Sequence, residues 1–202
     1  MRSLIIPLLL IASCTSSPES KTLGVQVLGY FEQEAVDSVR SALSTFYNVE
    51  IIQLPNQKLP KSAFVNIKSP RYRADSLLNF LTLNKADSLD YLMALTYADI
   101  SFTKRVDGDV KEPITRYEDW GIFGLAHMPG TASVISSYRI NSTSKKVFFS
   151  RLKKITVHEF GHNLGLPHCS NKTCIMQDAA ESISTIDNVE LKMCSSCFEK
   201  IN

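Results

Sequence analysis

His158-Glu159-Phe160-Gly161-His162-Asn163-Leu164-Gly165-Leu166-Pro167-His168-Cys169 holds three of the four histidines in the chain. Its first five residues form an H-E-x-x-H motif. Residues four apart share a helix face, so His158 and His162 can both reach one metal ion. Glu159 lies between them in sequence, beside the metal rather than on it, where a general base for a metal-bound water belongs. Gly165 supplies a left-handed helix stop. The chain then turns through Leu166-Pro167 and delivers His168 as a third imidazole. Three histidines leave one tetrahedral position of a zinc ion for water, the ligand set of a catalytic rather than a structural site.

The longer pattern, H-E-x-x-H-x-x-G-x-x-H, is that of the metzincin metallopeptidases. Cys169 follows the third histidine directly, and the spacing continues as Cys169-x4-Cys174-x-Met176-x17-Cys194-x2-Cys197. At every one of these positions the chain resembles the archaemetzincin family. The resemblance is dense over residues 158–197 and weaker upstream, where Phe123-Gly124-Leu125-Ala126 through Ser133-Val134-Ile135-Ser136 also looks similar. It implies two zinc ions per chain: a catalytic one on His158, His162 and His168, and a structural one on Cys169, Cys174, Cys194 and Cys197. Met176 corresponds by resemblance to the Met-turn beneath the catalytic zinc. Taken alone it reads as a core methionine, and the two roles are compatible. The implied fold class is α+β: a zincin fold of metzincin type, a mixed twisted sheet flanked by helices, with an active-site helix and a small C-terminal zinc-clamped subdomain.

The N-terminus reads as a targeting segment. Arg2 precedes an apolar run from Leu4 to Ala12, too short to span a bilayer and proportioned like a secretory signal. Ile11-Ala12-Ser13-Cys14 resembles a bacterial lipobox, in which the cysteine becomes the lipidated first residue. Residues 1–13 are thus expected to be a signal peptide, 14–22 a flexible tether and 23–202 the peptidase domain. The expected location is an exported, membrane-anchored lipoprotein. Thr15 gives no aspartate retention signal, which by resemblance favours the outer membrane. A signal cleaved elsewhere with an incidental cysteine, or a short anchor never cleaved, remains the competing reading. The chain has five cysteines, one in the lipobox and four in the zinc pattern, so none is left over. In an exported protein the same four can instead form two disulfides, and a C-x-x-C pair can be redox-active.

A chain of 202 residues with 44% hydrophobic content is long enough for one globular domain with a real core. The expected assembly is a monomer. Net charge is +2 with both signs interspersed, so nothing points to nucleic acid. Lys145-Lys146 and Arg151-x-Lys153-Lys154 read as a solvated helix face, with a polyanionic partner as the lesser reading. Leu23–Tyr30, Val49–Leu54, Ala63–Ile67 and Asp90–Thr96 predict strands. Glu32–Phe46 and Ala74–Leu83 predict amphipathic helices. That alternation predicts a partly parallel sheet. Residues 99–120 read as polar and irregular, Trp120–Ala126 and Ala132–Ile140 as two further strands. Ser144–Leu164 predicts the central helix, with Ser144 as N-cap and Phe148, Leu152 and Ile155 on its buried stripe. Asp187–Asn202 predicts a last helix carrying Cys194 and Cys197. By resemblance, Phe123–Ala126 is the upper rim of a cleft that takes an extended peptide; an ordinary edge strand is the alternative. His127 reads as a surface or core histidine.

The chemistry that follows is hydrolysis of a peptide bond by a zinc-bound water, with Glu159 as general base and a peptide or protein as substrate. A lapsed metallopeptidase that binds a peptide or metal without cutting is the second hypothesis. Glu159 separates them, because a lapsed enzyme has no need of its base. No substrate pocket or specificity is readable.

Overall fold

The structure is a computed structural model and describes residues 20–178 and 182–201. The expected signal peptide, Cys14 and most of the tether lie outside the described residues. The first strand, β1 (Lys21–Val27), begins two residues earlier than the apolar pattern predicts. Asp90 holds this start: its carboxylate accepts the Thr22 N–H at 2.8 Å and faces Lys21 Nζ at 3.2 Å.

Helix α1 (Gln33–Phe46) follows, then β2 (Val49–Gln53), the hairpin β3 (Phe64–Asn66) and β4 (Pro70–Arg73), helix α2 (Ala74–Asn84) and β5 (Tyr91–Thr96). Next come β6 (Ile100–Phe102), a two-residue hairpin of β7 (Arg105–Val106) and β8 (Asp109–Val110), and the single turn α3 (Ile114–Tyr117). Beyond these lie β9 (Trp120–Ile122), β10 (Gly124–Ala126), β11 (Ala132–Ser136) and the long helix α4 (Lys145–Asn163). Two short helices end the chain, α5 (Ile183–Asn188) and α6 (Ser195–Phe198).

The main sheet runs β10-β11-β5-β1-β2. Its three pairings from β11 to β2 are parallel, and β10 joins the edge antiparallel to β11. Parallel strands need crossovers, and the helices of those crossovers cover both faces. Met93 and Leu95 of β5 therefore point into the core shared with α1 and α4, while Leu92 and Ala94 point into the core shared with α2. The expected partly parallel sheet is present.

Four predicted segments differ. Residues 99–120 are not irregular: β6 and β9 pair there in a second, four-stranded sheet of order β3-β4-β6-β9. Its strands run three or four residues, too short for alternation to register. The run 120–126 is not one strand. Residues Trp120–Ile122 pair with β6 in the second sheet, and Gly124–Ala126 pair with β11 in the main one. The change of sheet occurs at Phe123. Paired charges lock the two sheets near this point: the more exposed Arg139 grips buried Asp99 with two bonds of 2.7 and 2.8 Å, and buried Arg71 lies between Asp99 and Asp119. Gly121 leaves the space that the Arg139 guanidinium fills. Finally, 187–202 is not one helix. The Glu190 N–H donates to Thr173 O and the Ile175 N–H to Lys192 O, so the chain leaves α5 to pair with the loop after His168. The strand expected to reach Ile140 stops at Ser136 and closes in a 3-10 turn.

Helix α4 begins where expected, with Ser144 Oγ accepting the Val147 N–H. Leu152 and Ile155 are buried, and Phe148 packs partly buried against the same core. The far half of α4 sits on a close-fitted base. Phe160 meets Tyr47 and Tyr91 edge-on at 4.9 and 5.1 Å, and Tyr47 Oη donates to Val157 O at 2.7 Å. No helix among the described residues is long and apolar enough to cross a membrane.

Gly161 decides between two opposed effects. Helix propensity alone predicts that Gly161→Ala adds about 1 kcal/mol of stability. A Cβ there, however, falls 2.5 Å from Met176 Sδ and 3.2 Å from Tyr47 Oη. Overpacking of a filled core costs about 1–3 kcal/mol and wins. Urea unfolding of Gly161→Ala is expected to show a lower midpoint than the parent; a higher one means that Met176 yields freely.

Candidate active site

The end of α4 shapes the site. Gly165 takes φ +90°, the Gly165 N–H bonds His162 O at 2.8 Å, and the Leu166 N–H bonds Gly161 O at 3.0 Å. These paired bonds stop the helix and turn the chain back over its own last turn. Pro167 then leads to His168, which comes to face His158 and His162. The three ring centroids lie 4.6, 4.9 and 5.4 Å apart, and one donor nitrogen from each ring falls within 4.8 Å of the others. The predicted trio is thus assembled.

Main-chain carbonyls fix the protons. His158 Nδ1 lies 2.8 Å from Ile175 O, and His162 Nδ1 lies 2.7 Å from Leu166 O. A carbonyl oxygen only accepts, so each imidazole carries its proton on Nδ1 and keeps the Nε2 lone pair. His168 Nδ1 faces the Asp178 carboxylate at 3.7 Å. Burial, and behind it the neighbouring His162, push His158 down to about 3. Burial also lowers His162. Both rings therefore stay neutral at physiological pH, as metal ligands must. This donor set fits a zinc ion with an open position.

Glu159 is buried beside the trio and is not part of it. Burial raises its carboxyl to about 8, and a cation held by the three histidines would draw it back toward the ionised form that a general base needs. The carboxylate rests against Gly124 of β10: a Cβ at 124 would lie 2.7 Å from Glu159 Oε1. Gly124 is thus a clearance for the carboxylate. Gly121 and Gly124 both interrupt the strand pattern, and a glycine inside a strand marks a close approach without naming the partner. Asn163 is a second residue that the motif does not reveal. Its Nδ2 donates to His127 O at 3.1 Å and Ala132 O at 2.9 Å, and its main-chain carbonyl takes the Gly130 N–H. The end of α4 is thereby tied to the turn between β10 and β11. His127 contributes its main chain there and belongs to neither metal group among the described residues.

The cysteines form a second cluster. The sulfurs of Cys169, Cys174, Cys194 and Cys197 all lie within 4.8 Å of one another, and all four are free thiols. Cys169 and Cys194 are 3.7 Å apart at sulfur, far beyond a disulfide bond and close to the edge of about 3.8 Å for a tetrahedron of zinc–sulfur bonds. Backbone N–H groups aim at the sulfurs: Asn171 at Cys169 and Cys194 at Cys174, each 3.4 Å. The Cys197 N–H pulls the Cys194 thiol down to about 7, while burial raises Cys174 and Cys197. Four converging sulfurs met by N–H donors fit a closed zinc site.

A cleft of about 350 Å³ opens over the histidines. One wall comes from β6, β9 and β10, including Phe102, Trp120 and Leu125; the other comes from α4 with Ile175, Gln177, Ile186 and Val189.

A sequence model of Peptidase family M54 matches residues 21–202. The archaemetzincin of Halobacterium salinarum is 32% identical over 166 residues, covering 78% of this chain and 86% of that protein. The archaemetzincin of Haloarcula marismortui is 30% identical over 185 residues, covering 87% and 94%. Among solved structures, the archaemetzincin of Methanopyrus kandleri superposes with a TM-score of 0.74 at 24% identity, covering 93% of this chain and 96% of that one. That likeness carries the fold alone, and it agrees with the mixed sheet, the flanking helices and the cysteine-clamped C-terminal region described above. The chain belongs to peptidase family M54, the archaemetzincins, and is a zinc metallopeptidase.

Proposed function

We propose that peptide hydrolysis takes place at His158, His162 and His168, with Glu159 as the general base. The observation that carries this reading is the trio of neutral imidazoles with Nε2 free, beside one buried carboxylate that is not a ligand. Zinc, when bound there, acidifies a water and draws charge from the peptide carbonyl. Glu159 takes the proton from the attacking water and passes it to the departing amine. Strand β10 lies at the edge of the main sheet, beside Glu159, and offers main-chain groups to an extended substrate. Because Glu159 is present and placed, the lapsed-enzyme reading is not favoured.

The same proposal includes a second zinc on Cys169, Cys174, Cys194 and Cys197. It also includes a monomeric protein tethered to the outer membrane through a lipid on Cys14, a residue outside the described ones. The support for the tether is the lipobox-like Ile11-Ala12-Ser13-Cys14 behind an apolar run.

Glu159→Ala is expected to lower kcat/KM by about a thousandfold or more with zinc still bound. Retained activity, or loss of the metal from the histidines, overturns the assignment. Metal analysis is expected to find two zinc ions per folded chain, and denaturation in chelator to release four reactive thiols from the cysteine cluster. Chelator is expected to strip the histidine site first, with activity lost and fold kept. Cys194→Ser is expected to lower both stability and activity, because the cysteine site couples to folding. One zinc and no thiols overturns the second site. Cys14→Ser is expected to abolish labelling by a palmitate analogue and membrane retention; unchanged labelling excludes Cys14 as the lipidated residue.

A further inference from the structure

Lys154, His158 and His162 are spaced four apart on α4, so Lys154 stands one turn before the first imidazole on the same face. It lines the same cleft. The wall around it is apolar, made by Ile155, Ile175, Ile186 and Val189. The ammonium donates to Ile186 O at 2.9 Å and to Asp187 O at 3.1 Å. An ammonium has three N–H donors, and the third has no partner among the described residues.

The neighbouring charges do not neutralise it. The Asp187 carboxylate is held at both oxygens by Arg151, from Nε and Nη2, each at 2.7 Å. Lys154, Arg151 and Asp187 together therefore carry one net positive charge, and Lys154 is the member that reaches the cleft. A half-buried charge next to apolar walls gains most from an opposite charge with an apolar stem. We propose that Lys154 is a specificity-determining residue, selecting a substrate with an acidic side chain, glutamate above all, at one of the two positions flanking the scissile bond. Two methylenes of glutamate lie along the isoleucines and its carboxylate meets the ammonium. This rests on the reading of the cleft given above.

The competing role for Lys154 is structural, as a donor to the last carbonyls of α5. That role changes stability but leaves selectivity alone. The test uses zinc-loaded protein and three peptides that differ only in Glu, Gln or Leu at one flanking position, made for both positions, with cleavage sites read by mass spectrometry. At one position Glu is expected to exceed Gln in kcat/KM by about tenfold or more. Lys154→Met is expected to bring Glu down to Gln while leaving Leu unchanged. If Lys154→Met does not fold, Lys154→Gln replaces it, keeping a donor for the carbonyls without the charge. Glu and Gln cleaved equally by the parent overturns the proposal. So does a folded variant that keeps the Glu preference. No cleavage of any peptide overturns the reading of the cleft and this proposal with it.

Discussion

Two hydrogen bonds from imidazole Nδ1 to main-chain oxygen, His158 to Ile175 and His162 to Leu166, hold the site in its working form. They set the tautomer, the ring plane and the direction of each lone pair. Their acceptors come from different places. Leu166 is fixed by the helix stop at Gly165, two residues of chain away from the third ligand. Ile175 lies between Cys174 and Met176, in the loop that the cysteine cluster gathers. The cysteine cluster thus reaches the three converging histidines by two routes, through the Ile175 carbonyl and through the backbone that runs from His168 into Cys169. The four-sulfur cluster sets how the first imidazole points, through a main-chain carbonyl beside it.

The helix beneath is positioned by what is missing from it and around it. Gly161 lets Met176 and Tyr47 close against α4, Gly124 lets the Glu159 carboxylate stand against β10, and Gly121 lets Arg139 cross between sheets. In each case a side chain from one element occupies the volume of an absent Cβ on another. Close packing leaves such positions no slack.

The chemistry was legible in the sequence because it is local. His158, Glu159, His162 and His168 fall within one helix and one turn, and the four cysteines keep fixed offsets from them. The parallel core was legible because β1, β5 and α1 are long enough to show periodicity. The second sheet was not, since its strands are three or four residues long and their pairing spans distant segments. The 120–126 run carries β-formers on both sides of Phe123, between Gly121 and Gly124, and nothing local marks Phe123 as the point where pairing passes from β6 to β11. The final helix was overextended because Val189 and Met193 keep helical spacing while the backbone at 190–192 bonds the loop at 173–175. Gly124 and Asn163 act through partners far off in sequence, which no spacing rule detects.

Asn163 fastens the last turn of α4 to the β10–β11 turn at three points, through its side-chain amide to two carbonyls and through its main-chain carbonyl to Gly130. The edge strand and the second histidine are therefore the two jaws of a caliper set by the protein alone. Its span is established before any chain enters, so no binding free energy is diverted into closing the jaws. Under the proposed binding of an extended peptide along β10, such an instrument would measure the reach from the peptide's backbone to its scissile carbonyl, whatever side chains the peptide carries.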